Sequence, residues 1–258
     1  MKKTFNYFLI LAALLLFATS CGSDNEGSAP LSASTISAKW DVSSQTNYAS
    51  FEFNKDGNYI VVENPTATSG NITQAAAATE PTVHFGKYQI TDNVVKLVGL
   101  GTMVVTGIVG SQINFNFATD ANPELKLDYT AIKAPNVANS AKTDLFCRTW
   151  KITAETEKVN GVESIPARSF LGCTALFSHA GTYLMNYQDG TPPELALWKW
   201  KNTTETEFYY SWKNWEGFVE NEHFVIIAEL TKNSMKINES QDDNGTLCEY
   251  FYELIPAN

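Results

Sequence analysis

Histidine is almost missing from this 258-residue chain: there are three, His84, His179 and His223, and no two stand at metal-ligand spacing on one strand or helix. Also missing are a Gly-x-Ser-x-Gly elbow, a His-Glu-x-x-His helix and a glycine-rich phosphate loop. The sequence therefore offers no catalytic residue, no metal centre and no cofactor site, and the expectation is a protein that is not an enzyme. Positive charge is scarce as well, with 18 Lys and Arg against 28 Asp and Glu for a formal net charge of -10. So acidic a surface lacks the cations that neutralise phosphates, which removes nucleic acid from the expected partners. Beyond the N-terminus no apolar run approaches the roughly 20 residues of a membrane-spanning helix. Cysteine is limited to Cys21, Cys147, Cys173 and Cys248. If Cys21 is modified, the other three allow one disulfide with a spare thiol, or three thiols packed as small hydrophobes, and their spacing does not choose. Asp242-Asp243-Asn244-Gly245 lacks the alternating carboxylates and distal glutamate of a calcium loop. Between two strand-like runs it predicts a hairpin turn with the Asn-Gly pair in left-handed conformations.

What the chain does have begins with a leader. Lys2 and Lys3 give a positive start, Phe8 to Phe17 an apolar run, and Ala18-Thr19-Ser20 a set of small residues before a cysteine. This is the three-part build of a secretory signal, so residues 1–20 read as an address to be removed. Ala18-Thr19-Ser20-Cys21 resembles the lipobox of bacterial lipoproteins. The resemblance implies that Cys21 is acylated, becomes the first mature residue and ties the protein to a membrane. Gly22-Ser23-Asp24-Asn25-Glu26 resembles the acidic tether with which lipoproteins of the Bacteroidetes type reach the outer leaflet. It implies an outer-membrane, lipid-anchored protein that faces the medium. Residues 21–35, rich in Ser, Gly and Ala with almost nothing to bury, are expected to be a flexible tether.

Folding signals start at Ile36 to Val42. Ala49 to Phe53 and Asn58 to Val62 flank Asn54-Lys55-Asp56-Gly57, aromatic and β-branched runs around a turn, which predicts a hairpin. A polar, Ala-rich loop covers Asn64 to Thr82, with Ala75 to Ala78 a candidate short helix. Strand-like runs follow at Val83 to Ile90, Val94 to Val98, Met103 to Val109, Ile113 to Phe117 and Leu125 to Ile132, each bounded by turn residues. Short strands at this spacing predict an all-β sandwich or barrel.

After residues 135–143, a linker or a single helical turn capped near Asp144, the pattern restarts. Trp40-Asp41-Val42 matches Trp150-Lys151-Ile152. Phe53, Gly57 and Tyr59 match Phe177, Gly181 and Tyr183. Gly86-Lys87-Tyr88 is laid on Trp198-Lys199-Trp200, Ile108 to Ile113 on Leu230 to Met235, and Tyr129 to Ala134 on Tyr252 to Ala257. Five landmarks in the same order predict a tandem duplication, residues 36–134 and 144–258. A tryptophan near the first strand, an aromatic-x-x-x-Gly-x-Tyr hairpin and closing strands ending in an aliphatic pair resemble the small lipocalin-like domains of Bacteroidetes lipoproteins. The resemblance implies an all-β protein of two tandem lipocalin-like antiparallel up-and-down barrels or half-barrels. Each would be packed shut or hold one small ligand.

The aromatic supply singles out the second copy. Strand alternation puts Trp198 and Trp200 on one face, and Phe208, Tyr210 and Trp212 on one face, with Trp215 close by. The first copy has Tyr88 and the glycines Gly99, Gly101 and Gly107 in that region. These six aromatics are either core or the wall of a site for a small apolar or glycan ligand. The competing expectation is a structural lipoprotein with both barrels closed, serving a protein partner in the cell envelope.

Overall fold

The computed structural model describes residues 30–43, 47–64, 81–212 and 224–257. The leader, Cys21, Ala75 to Ala78, Trp215 and His223 lie outside them.

The first half runs α1 (Ala33–Ile36), β1 (Ala38–Val42), β2 (Tyr48–Phe53), β3 (Asn58–Glu63), β4 (Thr82–Thr91), β5 (Val94–Leu97), β6 (Gly101–Val109), β7 (Gln112–Thr119) and β8 (Leu127–Lys133). Each strand pairs antiparallel with the next, and β8 returns to β1 to close a barrel. The second half runs α2 (Ala141–Phe146), β9 (Thr149–Val159), β10 (Val162–Ser164), β11 (Thr174–Phe177), β12 (Thr182–Asn186), β13 (Glu194–Trp200), β14 (Glu207–Ser211), β15 (Phe224–Leu230), β16 (Met235–Asp243) and β17 (Thr246–Pro256). Here β17 pairs with β9, so eight strands close a second barrel, and β10 is a short flap on the far end of β9. The protein is all-β, two closed eight-stranded antiparallel up-and-down barrels in tandem.

Two boundaries shift from the composition-based reading, for the same reason. Ser32 caps α1 with its side chain, and Ile36 is fully buried, so the fold begins inside the stretch assigned to the tether. Ser140 caps α2 in the same way, four residues ahead of Asp144. The preceding linker is fastened down as well, because the Val137 N–H donates to the His179 carbonyl at 2.8 Å.

The two copies agree in bonding detail. Trp40 Nε1 donates to the Ile36 carbonyl and Trp150 Nε1 to the Phe146 carbonyl, both at 2.9 Å, so a short helix and a tryptophan close one end of each barrel. Gly57 and Gly181 both turn their hairpins at φ 82°. A Cβ at Gly181 would also come within 2.9 Å of Val137 Cγ1, so no other residue fits there. One landmark needs moving. Tyr59 pairs with Gly86, and Tyr183 with Ala196. Tyr88 N–H donates to the Gly57 carbonyl, and Trp198 N–H to the Gly181 carbonyl. Tyr88 therefore corresponds to Trp198 rather than Trp200. A two-residue slip keeps every side chain on its own face, so periodicity alone does not detect it.

The barrels meet through their outer walls. Tyr59 and Val61 point into the first barrel, yet Ile60 between them is also buried, against Leu176 and Leu184 of the second. Those two leucines likewise alternate with inward-facing Ala175, Phe177, Tyr183 and Met185. Burial on both faces is why these strands read as unbroken apolar runs. Around this contact Thr149 donates its N–H and hydroxyl to Asp56 Oδ2, at 3.1 and 2.5 Å, and accepts from Asn58 Nδ2 at 2.8 Å.

Glu52 lies in the same junction, 3% exposed, accepting from the Thr182 hydroxyl at 2.7 Å. Burial pushes its carboxyl above the ordinary value of 4.5, against the opposing hydrogen bonds from Ser178 and Thr182. A raised folded-state value means that this group's contribution to stability is complete below the ordinary carboxylate range and is lost as pH rises through the folded value. Glu52→Gln keeps an acceptor for Thr182 and removes the charge. It is expected to raise stability at neutral pH by about 1–2 kcal/mol and to flatten the decline from acid to neutral pH. Urea unfolding across that range checks this, and a variant with the wild-type pH profile would refute it.

Candidate functional site

The aromatic side chains of the second barrel divide into two groups. Phe146, carried in by α2, sits 4.8 Å from Trp198, 5.0 Å from Trp200 and 5.1 Å from Phe208, ring centre to ring centre. Both indoles are tied down: Trp198 Nε1 donates to the Ser178 carbonyl and Trp200 Nε1 to the Thr143 hydroxyl, each at 3.0 Å. These two tryptophans belong to the plug that closes the barrel, and neither borders its cavity. Phe208 stands at the boundary, touching the plug below and the cavity above. Tyr210 and Trp212 line the cavity, and Trp212 is 41% exposed at its rim. Of the six candidates, the structure therefore gathers Phe208, Tyr210 and Trp212 at one site, and Trp215 lies outside the described residues.

The cavity proper measures about 100 Å3 and is walled by Phe177, Tyr183, Met185 and Phe208 with Tyr210 and Tyr252 above them. It shares Phe170, Tyr210, Trp212, Glu239 and Tyr252 with an outer space of about 310 Å3 that adds Glu155, Glu157, Arg168 and Tyr250. The floor is rigid, because Phe177 and Tyr183 stack 4.6 Å apart at 9°. Higher up, Tyr183, Tyr210 and Trp212 touch one another with ring centres 5.3 to 5.7 Å apart.

Glu239 is the charged group in this aromatic wall. Its Oε1 accepts from the Tyr210 hydroxyl at 2.7 Å and from Gln241 Nε2 at 3.1 Å. Burial, and after it the negative charge of Glu239, push the phenols of Tyr183, Tyr210 and Tyr252 above their ordinary value of 10.0. At the rim Arg168 lies 4.0 Å over the Tyr187 ring and 3.5 Å from Asp189, while the Tyr187 hydroxyl donates to Glu194 at 2.6 Å. Glu239, Tyr252 and Tyr183 were legible in part. Met235, Ile237 and Glu239 alternate along β16, so a strand facing the core with its first two residues must turn the third inward as well. Phe170 and Arg168 come from the loop before β11, where no periodicity points.

The first barrel differs. Phe51 packs 5.1 and 5.2 Å from Phe115 and Phe117, and Phe115 stacks on Tyr129 at 5.3 Å, so contacting rings occupy its interior.

A second concavity, about 740 Å3, runs along the barrel junction. In it His179 Nε2 lies 2.9 Å from Asp144 Oδ1, and Lys55 Nζ is 3.7 Å from the same oxygen. The hydrogen bond from His179 is the first cause holding the Asp144 carboxyl below its ordinary value. A dyad needs a nucleophile, and the cysteine lining this space is unsuited. Burial, and then Glu52 and Asp144, push the Cys147 thiol well up, so it stays protonated. The trio reads as an ion pair joining two barrels. His84 pairs with Glu63 at 3.1 Å on the first barrel. Cys147, Cys173 and Cys248 are free thiols; Cys173 is buried, and Cys147 and Cys248 are half-buried. The turn at Asn244 and Gly245 takes φ values of 54° and 86°, as the Asn-Gly pair predicts. Among the described residues no group of His, Cys, Asp and Glu is placed to hold a metal ion, and no helix is long and apolar enough to cross a membrane.

No known family model matches the chain, and no curated protein matches it.

Trp198→Ala, which empties a fully buried site in the plug, is expected to destabilise the second barrel by about 3–5 kcal/mol. Trp212→Ala, at the exposed rim, is expected to cost under about 1 kcal/mol. Denaturant unfolding of the two variants compares them directly. Equal losses would mean that the plug and the rim are not distinct.

Proposed function

We propose that this protein is a lipid-anchored binding module, not an enzyme, in which the second barrel takes up a small apolar or glycan ligand and the first acts as a packed spacer. The observation that carries the proposal is the closed aromatic pocket of the second barrel. It is plugged at one end by Phe146, Trp198 and Trp200, and opens at the other beside Trp212. Pockets that hold small molecules have this make-up, apolar and aromatic walls with a few convergent polar groups. The inner and outer spaces suit a ligand of one or two rings.

The lipid-anchored part of the proposal rests on the leader: Lys2, Lys3, the apolar run and Ala18-Thr19-Ser20-Cys21. Attachment at the outer membrane, with the barrels facing the medium, follows from the acidic Asp24 and Glu26 behind Cys21. A structural role beside an envelope protein suits the first barrel, whose interior rings are in contact. The second barrel's pocket favours binding over that alternative for the chain as a whole.

Native mass spectrometry of protein purified from its source is expected to show a co-purified small molecule. Ala175→Trp, which fills the pocket from β11, is expected to lose it. A wild-type protein that carries no adduct and shows no change on screening against Ala175→Trp would overturn the binding reading. Separately, Cys21→Ala is expected to move the protein from the membrane fraction to the soluble one. Continued sedimentation with membranes would remove the lipid anchor from the proposal.

A further inference from the structure

Resting on the ligand-binding reading of the second barrel, we infer that its cavity selects an organic ammonium, a molecule with an apolar or aromatic body and a protonated amine seated beside Glu239.

The argument starts from the wall. A carboxylate surrounded by aromatic rings is costly to desolvate unless something compensates it. Glu239 has two donors, Tyr210 and Gln241, and both reach the same oxygen, Oε1. Among the described residues no donor reaches Oε2, and no lysine or arginine forms an ion pair with this carboxylate. An ammonium N–H directed at Oε2 would supply both the missing donor and the missing charge. Such charge-assisted hydrogen bonds are roughly twice as strong as neutral ones.

The rings around it favour the same sign. Tyr183, Tyr210, Trp212 and Tyr252 border the space next to Glu239, and the faces of aromatic rings attract cations. Arg168 over Tyr187 shows one such pairing already at the rim. That guanidinium is paired with Asp189 at 3.5 Å, and no ion pair joins it to Glu239 among the described residues.

The remaining charges around the opening are carboxylates. Glu157 and Glu155 line it on β9, Glu155 being partly engaged by the Phe170 N–H at 2.8 Å and by the Ser169 hydroxyl. Glu194 is on the Tyr187 side, bound by that phenol. Against these stands Arg168, the one cation among the described residues lining the outer space. An anion entering here meets the carboxylates of Glu155, Glu157 and Glu239. A neutral ring is tolerated, and a cation is drawn in.

Benzylammonium and ethylbenzene differ only in an ammonium against a methyl group, so they isolate the charge. Tryptophan fluorescence titration of the full chain near neutral pH is expected to show benzylammonium binding at least about tenfold more tightly than ethylbenzene. Glu239→Gln is expected to weaken benzylammonium by about tenfold and to leave ethylbenzene unchanged. Equal or tighter binding of ethylbenzene to the wild type, or wild-type benzylammonium affinity in Glu239→Gln, would overturn the inference while leaving the binding module standing. Binding of neither probe would overturn the inference together with the reading it rests on. Should Glu239→Gln fail to fold, as judged by circular dichroism, the comparison of the two probes on the wild type decides.

Discussion

Each barrel depends on one hydrogen bond that recurs: a tryptophan indole N–H donating to the carbonyl four residues earlier, Trp40 to Ile36 and Trp150 to Phe146. A buried indole needs an acceptor, and the last turn of a short helix has carbonyls without intrahelical partners. The bond satisfies both, and it fixes the helix across one end of the barrel. From there the consequences run upward. In the second barrel α2 brings Phe146 under Trp198, Trp200 and Phe208, so the interior is full at that end. Among the described residues, space is left at the opposite end, where β14, β16 and β17 carry Tyr210, Glu239 and Tyr252 and Trp212 follows β14.

The same frame is filled differently in the two copies. The first places Phe51, Phe115, Phe117 and Tyr129 across its middle, and their rings meet. The second has Ala175 paired with Trp150 where the first has Phe51 paired with Trp40, and this small side chain borders the cavity. Trp198 occupies the position of Tyr88, so bulk has moved from the centre of the barrel to its floor. The backbone is shared and the interior volume is set residue by residue, so one plan carries a filled interior in the first copy and a cavity in the second.

Much of this was readable before any coordinates. The hairpin turns, the strand runs from Val83 to Ile132, the pairing of Leu230 to Met235 with Ile108 to Ile113, and the equivalence of the two C-terminal strands follow from period-two patterning and turn chemistry. What escaped did so for physical reasons. Gly86-Lys87-Tyr88 was laid two residues out of place because the β period hides even-numbered slips. The helices were missed or trimmed because four to six residues held by a serine cap carry too little periodicity to register. The tryptophan-rich stretch was singled out as one group, but Trp198 and Trp200 sit at the plugged end of β13, and strand alternation reports the face a residue points to, not how deep in the barrel it lies. The pocket's charged member follows from period-two alternation, which places Glu239 on the same face of β16 as Met235 and Ile237.

The pairing of β17 with both β16 and β9 joins residues about a hundred positions apart, Thr153 and Glu253 among them. Without β17 the first ring is still closed, while the second presents two bare edges, on β16 and β9, which are sites for pairing with other chains. A molecule in which β17 has come away therefore holds one finished module and one open one. In that sense β17 acts as a latch, and crowding it would endanger solubility.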